Sequence, residues 1–488
     1  MTDSSLKKMW IGGQAVDGDA GVAPLVSVNP ATGEVNYEVA AAGAKAADTA
    51  VRVADEAARD KKWRNMLPPA RAAILSRIAD GMERRSEELA RLQMIENGKV
   101  WRECQTQVKS AAATFRYYAA VCETTGSEVT PARGDYLSMS VYEPYGVVAA
   151  ITPWNSPMTM EAQKVAPALA AGNAVILKPS EITPSTGLLL AEIAQEAGLP
   201  PGILNVLPGT GQQVGAALVE HPRVRMVSFT GGTESGRRIA ETAARKLMPV
   251  ALELGGKSPH IVFNDAPVDS AVAALAGGIF EGSGQSCVAG SRAFVQRGVY
   301  DEVVAKLSAV ARSLKVDLPD AAGAEMGPLA TFAHRDKVAG MVEAARAAGA
   351  DILAGGARPG SQALERGAYY LPTLIGGIDN HAAIAQQEIF GPVLCMIPFD
   401  DEDDLITQAN NSCFGLASGV WTRDYQRAWR VARALEAGTV WINTYKQLSI
   451  ATPFGGFKDS GIVRLMGVSG MRLDQQPKGI YFGMSPMA

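Results

Sequence analysis

The sequence is short of several things at once, and each shortage removes a class of function. Histidine occurs only four times in 488 residues, at His221, His260, His334 and His381, none of them near Cys287 in the chain. His260 sits inside an apolar run and reads as a satisfied strand residue, which disfavours a cysteine–histidine hydrolase. The five cysteines, Cys104, Cys122, Cys287, Cys395 and Cys413, are odd in number, scattered, and form no C-x-x-C pair. Neither a disulfide framework nor a structural zinc site is expected from such spacing, and a reducing cytoplasm is. Charge of one sign is also lacking: 46 Lys plus Arg against 50 Asp plus Glu leave a net charge of −4. That excludes the electrostatic footprint of nucleic-acid or anionic-membrane binding. Long apolar runs are missing as well. Residues 144–160 are uncharged at first sight, but Pro153, Pro157 and Asn155 prevent a spanning helix, and residues 1–13 hold no apolar stretch of secretory length.

What is present is ordinary globular material, 47% hydrophobic and 20% charged, long enough for about three domains. Between residues 147 and 253, short β-branched apolar runs alternate with longer amphipathic stretches, the pattern of βαβ units. Strands are predicted at 147–152, 174–178, 203–207, 225–229 and 250–253, and helices at 158–171, 184–197, 212–220 and 234–246. A second alternation starts near Ser258, with strands at 260–263, 293–296, 393–398, 417–421 and 439–443 and helices at 268–280 and 300–314. Helical stretches at 44–59 and 69–96 precede the first sheet. Isolated strands near 136–142 and 478–484 need an edge from elsewhere, such as another subunit. The fold class is α/β, with a doubly wound parallel sheet that binds ligands beyond the carboxyl ends of its strands.

Cys287 follows Gly282, Ser283, Gly284, Gln285 and Ser286, a turn whose backbone can approach a ligand and whose amides can donate. A thiolate held there would attack a carbonyl carbon. Gly231 and Gly236 lie where a strand passes into a helix, which offers free amides to a pyrophosphate. Gly209, Gly211 and Gly215 suggest a second glycine turn.

Seen together, Pro153-Trp154-Asn155, Leu177-Lys178-Pro179-Ser180-Glu181, Phe229-Thr230-Gly231-Gly232-Thr233, Leu252-Glu253-Leu254-Gly255-Gly256-Lys257, Gly284-Gln285-Ser286-Cys287, Glu388-Ile389-Phe390-Gly391-Pro392 and Pro453-Phe454-Gly455-Gly456 stand in an order that resembles the aldehyde dehydrogenase superfamily. The resemblance covers nearly the whole chain. It implies a Rossmann-like cofactor domain of residues 1–124 and 145–255, an α/β catalytic domain of 256–459, and a small β oligomerisation element of 125–144 and 475–488. It implies Cys287 as nucleophile, Asn155 as an oxyanion donor and Glu253 as the base that activates water for thioester hydrolysis. Losing one oxyanion donor typically lowers the rate by about a hundred- to a thousandfold.

The resemblance further implies NAD as cofactor. Lys178 and Glu181 match ribose-binding residues, and the Glu181 carboxylate would repel a 2′-phosphate, so NAD is preferred to NADP, although some members with this glutamate accept both. Glu388 and Phe390 match residues beside the nicotinamide, Gly211, Gly215, Gly231 and Gly232 the phosphate loops, and Ile151, Thr152, Trp154, Phe229, Thr230 and Leu254 the rest of the cleft. A homodimer or homotetramer acting on a small aldehyde follows by the same resemblance.

Two positions depart from the family pattern. Gly232 stands where many relatives carry serine in the phosphate loop. Leu465 stands where relatives carry a glutamate that pairs with a lysine matching Lys164 on a proton exit route; leucine cannot carry a proton, and Leu465→Glu is expected to alter the pH dependence of deacylation. Met158, Met160 and Val288 are candidates for the substrate funnel, and Lys446 and Gln447 for contact with a polar or anionic group. The rival readings are an NAD-independent thiol esterase or hydrolase, and a non-catalytic structural protein on the same scaffold.

Overall fold

The structure is a computed structural model and describes residues 6–484. Residues 1–5 and 485–488, the outermost parts of two of the expected domain segments, lie outside the described residues.

Strands that are apolar on both faces must be covered on both sides, which a parallel sheet flanked by helices achieves. Val147–Ile151 and Ala174–Lys178 are buried at every residue. They lie inside an eight-stranded sheet in the order Gln14–Val16, Met9–Ile11, Leu204–Val206, Ala174–Lys178, Val147–Ile151, Val224–Thr230, Val250–Glu253 and Gly461–Ile462. The five strands from Leu204–Val206 to Val250–Glu253 run parallel. The chain winds outward from Val147–Ile151 in one direction, then returns to place Val224–Thr230 on the other side. The crevice at that reversal, beyond the strands' carboxyl ends, is where such sheets take ligands.

A second sheet has seven strands in the order Asp351–Ala354, Thr373–Gly376, Val393–Phe399, Arg292–Gln296, Pro259–Val262, Ala417–Trp421 and Thr439–Ile442. All its pairings are parallel except that of the outer Asp351–Ala354. The third sheet corrects an expectation. Gln475–Gly483 and Tyr136–Pro144, predicted to need an edge elsewhere, pair antiparallel with each other from Gln475 opposite Pro144 to Gly483 opposite Tyr136, and Glu128–Val129 joins them.

The helices follow their apolar spacing with three differences. The stretch predicted over 69–96 is two helices, Pro68–Arg84 and Ser86–Asn97, because Arg85 leaves helical geometry (φ −100°, ψ 23°) while its side chain reaches Glu88 and Glu192. The segment predicted as a helix from 212 opens as a π turn, Gly211–Gly215, before Ala216–Glu220 continues it. The 24-residue helix Trp101–Thr124 was not predicted: it starts without a capping side chain, and its buried face is largely Ala and Cys, including Cys104, Ala111, Ala112, Ala119 and Cys122. Among the described residues no helix is long and apolar enough to cross a membrane.

Candidate active site

The helix Val268–Phe280 delivers the Cys287 loop to the cleft between the two large sheets. It runs into one tight turn, Glu281–Gly284, in which Gly282, Ser283 and Gly284 take φ of 64°, 57° and 71°. Ser283 is held there by its hydroxyl, which donates to the Gly327 carbonyl at 2.8 Å. At Gly284 a side chain would overlap the Gly391 carbonyl, so only glycine lets this loop lie against the segment that carries Glu388 and Phe390. Gln285 ties the loop inward through bonds to Gly282 and Ala330. The result is a buried loop in which Ser286 and Cys287 alone are half open.

Asn155 reaches this loop from the end of Val147–Ile151: its side-chain amide donates to the Gln285 carbonyl at 3.0 Å, across 130 positions of chain. Glu253 ends its strand three residues before Gly256, where a Cβ would stand 2.5 Å from the Cys287 carbonyl oxygen. The three residues picked out as catalytic thus converge. Cys287 itself packs on Val288, Leu416, Trp441 and Tyr445.

Burial, aided by the carboxylates of Glu388 and Glu253, pushes the Cys287 thiol up to about 12, so the loop holds a thiol that needs a base and not a preformed thiolate. Glu253 lies within electrostatic reach of that thiol. Both its oxygens are buried and neither has a hydrogen-bond partner in the protein. Burial raises its pKa to about 8, against the opposing pull of Lys164 and Arg464.

Lys164 is buried too, donates to Ser228 Oγ at 3.0 Å, and is drawn down to about 8 by burial while Glu253 and Asp474 support its charge. Asp474 is in turn pushed up to about 8 by burial, with Lys164 opposing. Leu465 lies in an apolar cluster with Val148, Met226, Ala251 and Met466. Besides Glu253, the carboxyl within electrostatic reach of Lys164 is that of Asp474, which no sequence pattern had singled out.

The predicted cofactor residues line the crevice of the first sheet. Thr152, whose amide donates to the Lys178 carbonyl at 3.1 Å, and Thr230 each hold a buried hydroxyl without a partner, as does the neighbouring Thr233. The helix Thr233–Arg245 begins at Gly232 with no side-chain cap, so its first amides are free. Gly231 lies over the Phe229 ring, and Leu254 packs under Gly236. Gly211 is exposed at the rim, Gly215 is buried beneath it, and Ile151 is buried behind Thr152. Lys178 bonds Glu181 at 3.2 Å.

Across the cleft, Glu388 Oε1 accepts from the Gly256 amide at 2.9 Å. Phe390, at φ 59°, meets Trp154 edge to face with centroids 5.3 Å apart, and His334 Nε2 donates to its carbonyl at 2.7 Å. His260 lies in its predicted strand, accepts from Trp421 Nε1 at 2.9 Å and stacks on Tyr445, but its Nδ1 is buried without a partner, so the residue is only half satisfied. Met158 is fully buried in the first core and leaves the funnel list, whereas Met160 is half open.

Known proteins extend this geometry. The family model "Aldehyde dehydrogenase family" matches residues 17–478. An aldehyde dehydrogenase of Bacillus subtilis (strain 168), DhaS, is 39% identical over 462 residues, covering 94% of this chain and 92% of that protein. The NAD+ complex of an aldehyde dehydrogenase from Bacillus cereus superposes with a TM-score of 0.96 at 38% identity, covering 99% of this chain and 97% of that one. A point mutant of betaine aldehyde dehydrogenase from Staphylococcus aureus, also in complex with NAD+, gives 0.96 at 36% identity over 99% and 97%. Matched along nearly its whole length in both sequence and fold, the chain belongs to the aldehyde dehydrogenase family.

Proposed function

We propose that the protein oxidises an aldehyde to its carboxylic acid with NAD, through covalent catalysis by Cys287. The observation that carries this reading is Glu253: a buried carboxylate with no hydrogen-bond partner, ending its strand beside the loop of the only half-open thiol in the cleft. An unpaired buried carboxylate is costly in a purely structural role.

The residues of the crevice fit a dinucleotide. The unpartnered hydroxyls of Thr152, Thr230 and Thr233 and the free amides after Gly232 suit a pyrophosphate and its sugars. Lys178 and Glu181 would hold the ribose remote from the reaction, with Glu388 and Phe390 at the nicotinamide end and Ile151, Trp154, Phe229, Leu254, Gly211, Gly215, Gly231 and Gly232 shaping the walls. Glu181 favours NAD over NADP. When bound, NAD supplies the acceptor for the hydride that leaves the aldehyde carbon.

Glu253 takes the proton of the Cys287 thiol as sulfur attacks the carbonyl carbon, giving a thiohemiacetal. Its oxyanion is met by the Cys287 backbone amide and by the Asn155 side-chain amide, which turns from the Gln285 carbonyl to do so. Once the hydride has gone, Cys287 carries a thioester. Glu253 passes the thiol's proton on to solvent, then removes a proton from a second water as that water attacks the acyl carbon; the carbon–sulfur bond breaks, the sulfur takes this proton from Glu253, and the acid leaves with the thiol restored.

In this reading residues 1–124 and 145–255 bind the cofactor, 256–459 carry the chemistry, and 125–144 with 475–488 join subunits into a dimer or tetramer. The exposed Val129, Leu137, Tyr481 and Phe482 on the three-stranded sheet support the last point. Five free cysteines accord with a reducing cytoplasm.

The test is NADH formation across a panel of aldehydes by the wild type and by Cys287→Ser. Loss of oxidation with cofactor binding retained is expected. Turnover of esters without NAD, and none of aldehydes with it, would favour the hydrolase reading instead.

A further inference from the structure

The approach to Cys287 has a charged and hydroxyl-bearing wall. Tyr445 anchors the loop after Thr439–Ile442 to the nucleophile, its hydroxyl donating to the Val288 carbonyl at 3.0 Å. The next residue, Lys446, adopts φ 57° and turns inward, so that its ammonium donates to the Gly277 carbonyl at 3.1 Å, near the end of the helix that delivers the Cys287 loop. An ammonium has three donors, and among the described residues this is the one acceptor it meets. Glu281, Glu103, Lys99 and Cys287 are the charged or titratable groups within electrostatic reach of it. Glu281 is exposed and screened by water, and Glu103 already accepts from the Gly282 amide at 2.9 Å.

One turn along the same helix from Glu103, Gln107 donates to Ser156 Oγ at 3.1 Å, next to Asn155. That leaves the Ser156 hydroxyl proton free to donate. Thr159 adds a second hydroxyl, buried and without a partner. A half-buried cation using one of three donors, together with the free Ser156 proton and the unpartnered Thr159 hydroxyl close to Asn155, leaves donors that a ligand would complete. An alkyl or aromatic substrate would leave all three unmet, and a cationic one would face both Lys446 and Lys99.

We propose that this wall binds the far end of an aldehyde that also bears a carboxylate, and that Lys446 is the residue that selects it. Gln447, expected from the sequence to share this contact, is exposed and offers its carbonyl to Trp441 instead. The inference rests on the oxidation proposed above and names the substrate class of that same site.

The experiment compares kcat/KM, with NAD saturating, for three aldehydes of equal chain length: succinate semialdehyde, butanal and 4-trimethylaminobutanal. A charge-assisted contact predicts a preference for the semialdehyde over butanal of about ten- to a hundredfold, with the cationic probe poorest. Lys446→Met should bring the first ratio close to one, and Lys446→Arg should keep most of it. A second reading needs no variant. Burial draws the Lys446 pKa down to about 8, so the preference should decay as pH rises through that value while the substrate carboxylate stays charged. A wild-type ratio near one, a ratio unmoved by Lys446→Met or by pH, or a preference for the cationic probe would overturn the assignment of Lys446 and leave the oxidation standing. No NADH from any of the three would overturn the oxidation as well.

Discussion

Two buried charges, one in each large sheet, live under opposite conditions. Arg292 opens its strand in the second sheet and is 1% exposed, yet its guanidinium donates to the Lys257 carbonyl at 2.9 Å, Asn380 Oδ1 at 2.8 Å and the Ala409 carbonyl at 2.9 Å. Glu253 closes its strand in the first sheet at 5% exposure and has no hydrogen bond at either oxygen. Burial disfavours the charged form of both, lowering the first pKa to about 10 and raising the second to about 8. Where the protein supplies the partners, the charge ties segments together. Where it withholds them, the group stays free to exchange a proton with whatever enters the cleft.

The sharpest test of that contrast exchanges the two charges for neutral groups. Glu253→Gln should lower steady turnover by about a hundred- to ten-thousandfold and slow the NADH burst in rapid mixing as well, because both the attack of the thiol and the hydrolysis of the thioester lose their base. Its unfolding free energy should hold or rise. Arg292→Met should do the reverse, lowering stability in denaturant titration by about 3–5 kcal/mol, since several acceptors would be left buried and unpaired. If Glu253→Gln proves as destabilising as Arg292→Met, the distinction between the two sites fails. Asn155→Ala should cost about a hundred- to a thousandfold in the acylation rate without a matching fall in melting temperature.

Smaller effects concern pH. Glu253 is protonated below its raised pKa and so cannot act as base there; the deacylation rate should climb as pH rises through about 8. Asp474→Asn removes the anion that supports the Lys164 charge, which weakens the pull of Lys164 on Glu253 and should move that climb to higher pH. Leu465→Glu, which puts a carboxyl into the apolar cluster of Val148, Met226 and Ala251, should also move the profile; a curve identical to the wild type in both variants would remove Lys164 from the proton path.

Much of the fold was legible because local pattern and burial coincide. Ala174–Lys178 and Val250–Glu253 were predicted to the residue, and Val268–Phe280 likewise, since each is mostly apolar. Trp101–Thr124 escaped because alanine and cysteine on its inner face carry little contrast with their surroundings. The residues of the candidate site were legible as motifs, but their condition was not. That Glu253 lacks partners, that Asp474 lies within electrostatic reach of Lys164, and that Gln107 bonds Ser156 depend on residues far apart in the chain. No window of sequence contains both members of such a pair.

The backbone contacts at Gly284 and Gly256 carry one more consequence. The Cys287 loop touches the Glu388–Phe390 segment through Gly284 and Gly391, and the Glu253 strand end through Gly256, whose amide in turn grips Glu388. Three loops from distant parts of the chain are therefore fastened to one another, two of the joints by main chain against main chain and the third by the Glu388 carboxylate on a main-chain amide. The sulfur, the base and the residues proposed to meet the nicotinamide move as one part: shorten or lengthen any one of these loops, and the other two must be re-aimed.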